Sequence, residues 1–161
     1  MVITLFAAFL ASAAFEPIGL WFLAIFGFAL FFRKLADGDR PVLHSFIFGF
    51  TLNAIVLHWS GKYVGVLPWL LLALLQSLFY LPIGLIYRRT SSLWISGLVL
   101  LLMEELRARF PFGGFGWTRI AFSQVESPAL PIVAIGGVLA LSAFTVSIAV
   151  LFARSGTKSF I

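Results

Sequence analysis

Four ionisable side chains lie close together where a long apolar run ends, in the stretch MEELRAR that precedes FPFGGFGW. Glu104 and Arg107 are three residues apart, so a helix places both on one face, where they can form an ion pair. Glu105 and Arg109 are four residues apart and offer a second pair of the same kind. Ionisable groups at membrane depth are costly and tend to face protein or a wet cavity. We therefore predict that a Glu104–Arg107 ion pair supports the segment that follows it.

That following segment is rich in glycine and aromatic residues. Its GGFG core could cradle a phosphate, but it follows a helix-like run instead of a strand and lacks the Lys-Ser or Lys-Thr of a nucleotide-binding loop. Glycines let a backbone turn and lie flat, while Phe and Trp rings favour the level of lipid headgroups. The pattern predicts an aromatic loop at the membrane surface, and an ordinary interfacial loop is the alternative. The residues of this predicted loop site are Phe112, Gly113, Gly114, Phe115 and Trp117.

No pattern of metal ligands or nucleophiles accompanies this loop. The chain has no Cys, which excludes a disulfide, a thiolate metal site and a cysteine nucleophile. Its two histidines, His44 and His58, have no carboxylates at metal-ligand spacing, and no serine lies in a Gly-x-Ser-x-Gly context. We predict no metal, no cofactor and no catalytic residue in this chain, with both histidines near the membrane surface.

The composition is that of an integral membrane protein. Of the 161 residues, 61% are hydrophobic and only 11% are charged, and the mean hydropathy is +1.09. A soluble chain of this length could not hide so much apolar surface. The net charge of +5 does not indicate a nucleic-acid partner, because Lys and Arg are scattered in ones and twos between apolar runs.

Six apolar runs predict the elements that must position the loop, at 1–14, 18–32, 42–59, 64–87, 93–107 and 129–153. A helix needs roughly 20 apolar residues to cross a bilayer, so the first two are short. The first run also contains the signal-peptide-like ASA at 11–13, although no Lys or Arg precedes Arg33; a signal peptide stays open as its alternative. We predict an all-α, polytopic transmembrane helical bundle that forms a single domain over 1–161.

Loop charges predict the orientation of this bundle. Cytoplasmic loops carry an excess of Lys and Arg, which here favours a cytoplasmic N-terminus and a periplasmic aromatic loop. The predicted inside charges are Arg33, Lys34, Arg40, Arg88, Arg89, Arg154 and Lys158. The predicted outside charges are Lys62, Arg107, Arg109 and Arg119.

Small residues interrupt the last apolar run. Gly136 and Ala140 have the small-xxx-small spacing that lets another helix approach closely. We interpret this patch, which also includes Gly137 and Ser142, as a packing feature without chemistry.

These pieces resemble the membrane-domain signature of bacterial apolipoprotein N-acyltransferase. The similarity lies in the string MEELRARFPFGGFGWTRIAFSQVESPALPIVAIGGVLALS, with its Glu-x-Leu-Arg, aromatic-glycine, Ser-Gln, Ser-Pro and Gly-Gly elements in the family's order. Upstream, AFEPIGLW and GFTLNAIVLHW are similar to the segment after the family's first helix and to its third helix. The resemblance is collinear over 14–142. It departs at Gly116, Arg119 and Ala121, where the family has proline, no charge and glycine.

The resemblance implies a membrane-bound activity that these residues cannot perform alone. The family transfers an acyl chain from phospholipid to the N-terminal diacylglyceryl-cysteine of a lipoprotein, through a thioester on a Glu-Lys-Cys triad in a nitrilase-like domain. With no Cys, this chain is expected to be inactive alone, as a truncated product, a fragment or half of a split enzyme. The resemblance implies phospholipid and lipoprotein as substrates, a separate nitrilase-like domain as partner, and the bacterial inner membrane as location.

A second hypothesis is non-catalytic. A similar membrane domain occurs beside polyprenol-phosphate mannosyltransferases, so the resemblance also permits a membrane adaptor for such a glycosyltransferase. A neighbouring reading frame for a nitrilase-like domain would favour the first hypothesis, and one for a glycosyltransferase would favour the second.

Overall fold

The computed structural model describes residues 1–155, and throughout that part of the chain it is helical without a strand. Lys158, one of the predicted inside charges, lies outside the described residues. Two short 3-10 helices precede the last α-helix, at Ile120–Gln124 and Leu130–Ile132. The α-helices are α1 (Val2–Ser12), α2 (Phe22–Asp37), α3 (Pro41–Val56), α4 (His58–Val64), α5 (Val66–Leu78), α6 (Leu81–Thr90), α7 (Leu93–Arg107) and α8 (Val133–Ser155).

The number of helices able to cross a bilayer is smaller than the number of apolar runs. Two stretches of the described chain are long and apolar enough, Val66–Thr90 and Leu130–Ser155. A third is possible if α3 and α4, which meet at a bend of 58°, form one span. With 11 residues, α1 is only about 16 Å long, half the thickness of a hydrocarbon core. The predicted helical class is confirmed, whereas six membrane spans are not.

The core forms where the first three helices meet. A Cβ on Gly27 of α2 would lie 2.5 Å from the backbone nitrogen of Ala11, so α1 and α2 approach more closely than a larger residue would allow. Phe31 and Phe48 stack at 4.2 Å between ring centroids, and Phe28 packs edge-on against Phe48 at 5.3 Å. The first apolar run is therefore a packed part of this core.

The helices pass back and forth so that six of the described Lys and Arg residues lie toward one end, which we call the basic end. There the Thr4 hydroxyl of α1 lies 2.8 Å from Nδ1 of His44 in α3. A Cβ on Gly84 of α6 would lie 2.5 Å from the carbonyl oxygen of Pro41, which brings α6 against the start of α3. The helix ends at this side of the bundle carry Arg33, Lys34, Arg40, Arg88, Arg89 and Arg154. The opposite end, where α7 ends and α8 begins, is the aromatic end.

The last helix is interrupted at the predicted small-residue patch. Gly137 has φ 67° and ψ −169°, a backbone conformation that L side chains rarely adopt, and Gly136 is also non-helical. A Cβ on Gly137 would meet no atom within 4 Å, and one on Gly136 would meet only Ala140 of the same helix. Within residues 1–155, therefore, no other helix uses the close approach that this spacing was predicted to permit; the glycines bend α8 instead.

Candidate functional site

The aromatic loop folds back onto the end of α7. The Phe115 N–H donates to the carbonyl oxygen of Arg107 at 2.8 Å, and the Gly114 N–H donates to that of Pro111 at 2.8 Å. Gly114 has φ +88°, and a Cβ there would lie 2.2 Å from the backbone of Ala108. Only glycine fits this position, because both the conformation and the contact exclude a side chain.

Most aromatic side chains of the loop are exposed instead of packed in the core. Phe112 is 100% exposed and has φ 56°, an uncommon conformation for a residue other than glycine. Trp117 is also exposed, and its ring lies 5.6 Å from that of Trp59, which in turn contacts Tyr63 at 6.2 Å. Together with Phe110, these residues form a surface that we call the aromatic face. Of the predicted loop residues, Phe112, Gly113 and Trp117 are exposed, while Gly114 and Phe115 are half-buried.

Beneath the aromatic face, the guanidinium of Arg107 joins the loop to two other helices. Arg107 is 3% exposed, and its two terminal nitrogens donate to the hydroxyl and the carbonyl oxygen of Thr118. One of these nitrogens also donates to Oε1 of Gln76 in α5 at 3.3 Å. The Thr118 hydroxyl donates in turn to Oδ1 of Asn53 in α3 at 2.9 Å, and Asn53 donates to the carbonyl oxygen of Gly49 at 2.7 Å. A single buried cation thus fixes the C-terminal end of the loop.

Glu104 fixes the segment that follows the loop. Its Oε1 accepts the Ile120 N–H at 3.2 Å and the Ser142 hydroxyl of α8 at 2.8 Å. The same hydroxyl accepts the Ala121 N–H at 3.1 Å. Glu104 is 3% exposed, and its second carboxylate oxygen is buried without a hydrogen-bond partner. We call Asn53, Gln76, Glu104, Arg107, Thr118 and Ser142 the buried polar network.

The predicted ion pairs have different outcomes. In the described part of the chain, no contact within 4 Å joins the Glu104 carboxylate to the Arg107 guanidinium. The two groups thus form no direct salt bridge, because each hydrogen-bonds a different part of the loop region, and their predicted role as a supporting pair stays a prediction. The Glu105–Arg109 pair is confirmed at 3.2 Å, and Glu105 has a second partner in Arg119 at 2.5 Å. The charge of Arg119, a departure from the family pattern, thus adds a half-buried partner to the ion pair of Glu105 with the exposed Arg109.

A further hydrogen bond ties the loop region to the segment between α1 and α2. The side-chain amide of Gln124 donates to the carbonyl oxygen of Trp21 at 3.0 Å and to the Ser123 hydroxyl at 3.0 Å. Gln124 is fully buried. Two of the quoted motifs, AFEPIGLW and AFSQ, therefore meet in space, although 103 residues separate the bonded pair.

Sequence reasoning missed four members of the buried polar network, namely Asn53, Gln76, Thr118 and the polar role of Ser142. All four are buried. A signal was present for the amides, since Asn53 and Gln76 each lie inside an apolar run, where an unsatisfied polar group is costly. Their partner could not be read from spacing, because Gln76 and Arg107 are 31 residues apart.

The site combines exposed aromatic rings with buried, hydrogen-bonded polar groups. The described residues contain no cluster of three or more His, Cys, Asp or Glu that could hold a metal ion. His44, in the first turn of α3, is buried against Thr4, while His58 is exposed near the aromatic face; their predicted position near the membrane surface stays a prediction. Apolar rings over a rigid polar base are suited to a lipidic ligand at the membrane surface.

Comparison with known families gives a match over most of the chain. A family model described as the apolipoprotein N-acyltransferase N-terminal domain matches residues 7–151 of the 161-residue chain. The matched range includes the aromatic loop, the buried polar network and both histidines. The chain therefore belongs to the apolipoprotein N-acyltransferase N-terminal-domain family, and its apolar helices are those of a membrane protein.

Proposed function

We propose that this member of the family is the membrane portion of a phospholipid-dependent lipoprotein N-acylation system in the bacterial inner membrane. In this proposal the aromatic face contacts the acyl chains of the diacylglyceryl-cysteine at a lipoprotein's N-terminus. The chain positions the lipid substrates for a nitrilase-like catalytic domain and contributes no catalytic residue of its own.

The observation that supports this proposal is the contrast between Phe112 and the residues under it. Phe112 is fully exposed at a positive φ, while Arg107 and Thr118 a few residues away are buried and hydrogen-bonded. An exposed, sparsely populated conformation persists when the surrounding structure over-determines it, and such positions cluster at ligand-binding sites. The exposed Phe112 ring at the bundle end offers an apolar contact for acyl chains.

Because the sequence has no Cys, we assign formation of the thioester acyl-enzyme to another segment or chain. A thioester acyl-enzyme needs a thiolate nucleophile, and none of the 161 residues can supply one. We therefore expect the purified chain to bind a diacylated lipopeptide without acylating it. N-acylation by the chain alone would contradict this part of the proposal.

Photocrosslinking from the loop tests the substrate contact. Replacing Phe112 with p-benzoyl-phenylalanine keeps an aromatic side chain at an exposed position, and the same replacement at Phe152 of α8 is the matched control. We expect a diacylated lipopeptide in phospholipid nanodiscs to crosslink at Phe112, and a triacylated excess to compete less well. Equal crosslinking at Phe112 and Phe152 would show that the contact is nonspecific and would reject the proposal.

The orientation of the bundle can be tested because the native chain has no Cys. We propose that the aromatic end faces the periplasm and that the basic end, with its six described Lys and Arg side chains, faces the cytoplasm. Lys62→Cys at the aromatic end should then react with an impermeant thiol reagent in intact spheroplasts, and Arg89→Cys only after lysis. The reverse pattern would overturn the orientation.

The adaptor hypothesis leads to a different outcome of the same experiments. If the chain instead anchors a glycosyltransferase, the aromatic end should crosslink to that enzyme, and lipopeptide crosslinking at Phe112 should be at the level of the Phe152 control. Co-purification with a nitrilase-like domain would favour the acylation system.

A further inference from the structure

We propose that the groove at the basic end binds an anionic phospholipid, with phosphatidylglycerol as its occupant. The groove lies between the start of α3 and one side of α6, from Leu81 to Arg88, and has a volume of about 490 Å³. This volume is within the range of roughly 300–1,000 Å³ that is typical of small-ligand sites. Its lining combines charged groups at the bundle end with an apolar wall along the helices.

The charged part of the lining comes from two separate elements. Arg40 immediately precedes α3, and Arg88 lies in the last turn of α6. Both are exposed, and among the described residues neither guanidinium has a carboxylate within 4 Å. Two unpaired guanidiniums that converge on one groove are suited to a phosphodiester, because each can donate two hydrogen bonds to phosphate oxygens.

The apolar part of the lining continues from these charges along the helices. Val42, Leu43 and Phe46 contribute from α3, and Leu81 contributes from α6. Their positions follow helical spacing, so the wall extends by more than one turn from the bundle end toward the bilayer interior. A lipid whose head group lies at the arginines would therefore place its acyl chains against this wall. A free phosphate or a nucleotide has no acyl chain to make that contact.

Charge complementarity identifies the lipid more closely. Asp39 also lines the groove, so the lining charges are two Arg and one Asp, a net charge of 2 − 1 = +1. Phosphatidylglycerol carries one negative charge, and its glycerol head group has hydroxyls that can donate to the Asp39 carboxylate. A zwitterionic head group would bring a cation next to both guanidiniums. Basic pockets at the cytoplasmic ends of membrane helices are a known mode of anionic lipid recognition.

This groove is distinct from the aromatic face, because the two lie at opposite ends of the bundle. The proposal therefore does not depend on the acylation system, and the lipid it describes is not an acyl donor beside the aromatic loop. A bound lipid would join α3 to α6 at the point where Gly84 already brings their backbones together.

Native mass spectrometry of the full chain, released from mixed-lipid nanodiscs, tests the site. The variant is Arg40→Gln with Arg88→Gln. The matched control is Arg89→Gln with Arg154→Gln, which removes the same charge from the same end at exposed residues outside the groove lining. The probes are phosphatidylglycerol, phosphatidylcholine and inorganic phosphate.

We expect the Arg40/Arg88 variant to retain about tenfold less phosphatidylglycerol than the unmodified chain, while the control stays within about twofold. Phosphatidylcholine should bind weakly to all three proteins, and millimolar phosphate should not displace the lipid. Equal losses in variant and control, equal retention of both lipids, or displacement by phosphate alone would each overturn the proposal.

A second variant keeps the test valid if the first does not fold. Leu43→Trp fills the apolar wall at an exposed position and leaves both guanidiniums in place. We expect it to reduce phosphatidylglycerol retention by several-fold, with the helical circular dichroism unchanged. Unchanged retention in a folded Leu43→Trp chain would contradict the proposed position of the acyl chains.

Discussion

The end of α7 and the turn directly after it carry two acidic and two basic side chains in very different surroundings. Glu104 and Arg107 are both 3% exposed, and each binds a separate part of the aromatic loop region. Glu105 and Arg109 lie one and two positions further along the chain, with side chains that are 18% and 78% exposed, and they pair with each other. Nearly the same sequence spacing therefore produces a buried network on one face and a surface ion pair on another.

This difference shows which contacts hold the aromatic face. A surface ion pair is screened by water and contributes about 0–1 kcal/mol. A buried charge that loses its partners is far more costly, about 3–5 kcal/mol, since nothing replaces its hydrogen bonds. We expect the loop to be held by the buried polar network, and the ion pairs of Glu105 to contribute little.

The largest expected effect comes from removing the buried cation. Arg107→Met keeps much of the apolar volume but breaks the bonds to Thr118 and Gln76, and it leaves Arg119 as the remaining cation near the buried Glu104 carboxylate. We expect the free energy of unfolding in mixed micelles to fall by about 3–5 kcal/mol. Arg109→Met is the matched control and should change it by less than about 1 kcal/mol. Similar values for the two variants would remove the distinction between the faces.

Substituting a loop glycine should have the next largest effect on stability. Gly113 and Gly114 have similar φ values of +90° and +88°, but only at Gly114 would a Cβ meet backbone, 2.2 Å from Ala108. Gly113→Ala should therefore cost only the conformational term of about 1–2 kcal/mol, and Gly114→Ala should cost at least about 1 kcal/mol more. Thermal unfolding of both variants measures the difference. Equal effects would mean that the loop does not pack on α7 as described.

Removing the single hydroxyl of Thr118 should cause a smaller loss of stability. Thr118→Val preserves shape while removing the group that accepts from Arg107 and donates to Asn53. Leaving these two buried partners short of a bond should lower the free energy of unfolding by about 1–3 kcal/mol. Thr118→Ser, which restores the hydroxyl, should recover most of it. If Ser and Val behave alike, packing and not hydrogen bonding accounts for Thr118.

The smallest effect on stability should come from the ion pairs of Glu105 with Arg109 and Arg119. Glu105→Gln weakens the contacts to both Arg109 and Arg119, yet we expect a change of no more than about 1 kcal/mol. The part of this change that comes from the exposed Arg109 should shrink further in 0.5 M salt, because exposed charges are screened. A loss above about 2 kcal/mol that persists in salt would place Glu105 in the supporting network.

The sequence predicted the helical architecture better than the hydrogen bonds between helices. Apolar runs indicated an all-helical fold, and the fifth run coincides with α7 at Leu93–Arg107. Helix periodicity also placed Glu105 and Arg109 together, because that contact is local. It could not find the partners of Arg107, since Thr118 and Gln76 reach it through tertiary packing. The Gly136–Gly137 bend was missed for a related reason: small residues permit either close packing or a break, and only the neighbours decide.

Hydrogen exchange of the loop amides tests the central claim most directly. The N–H groups of Gly114 and Phe115 donate to backbone carbonyls when the loop is folded back on α7. If the buried polar network holds the loop there, Thr118→Val should speed exchange in residues 108–117 by about tenfold or more, while Glu105→Gln should leave it nearly unchanged. Slow exchange in Thr118→Val, or equally fast exchange in Glu105→Gln, would contradict the account.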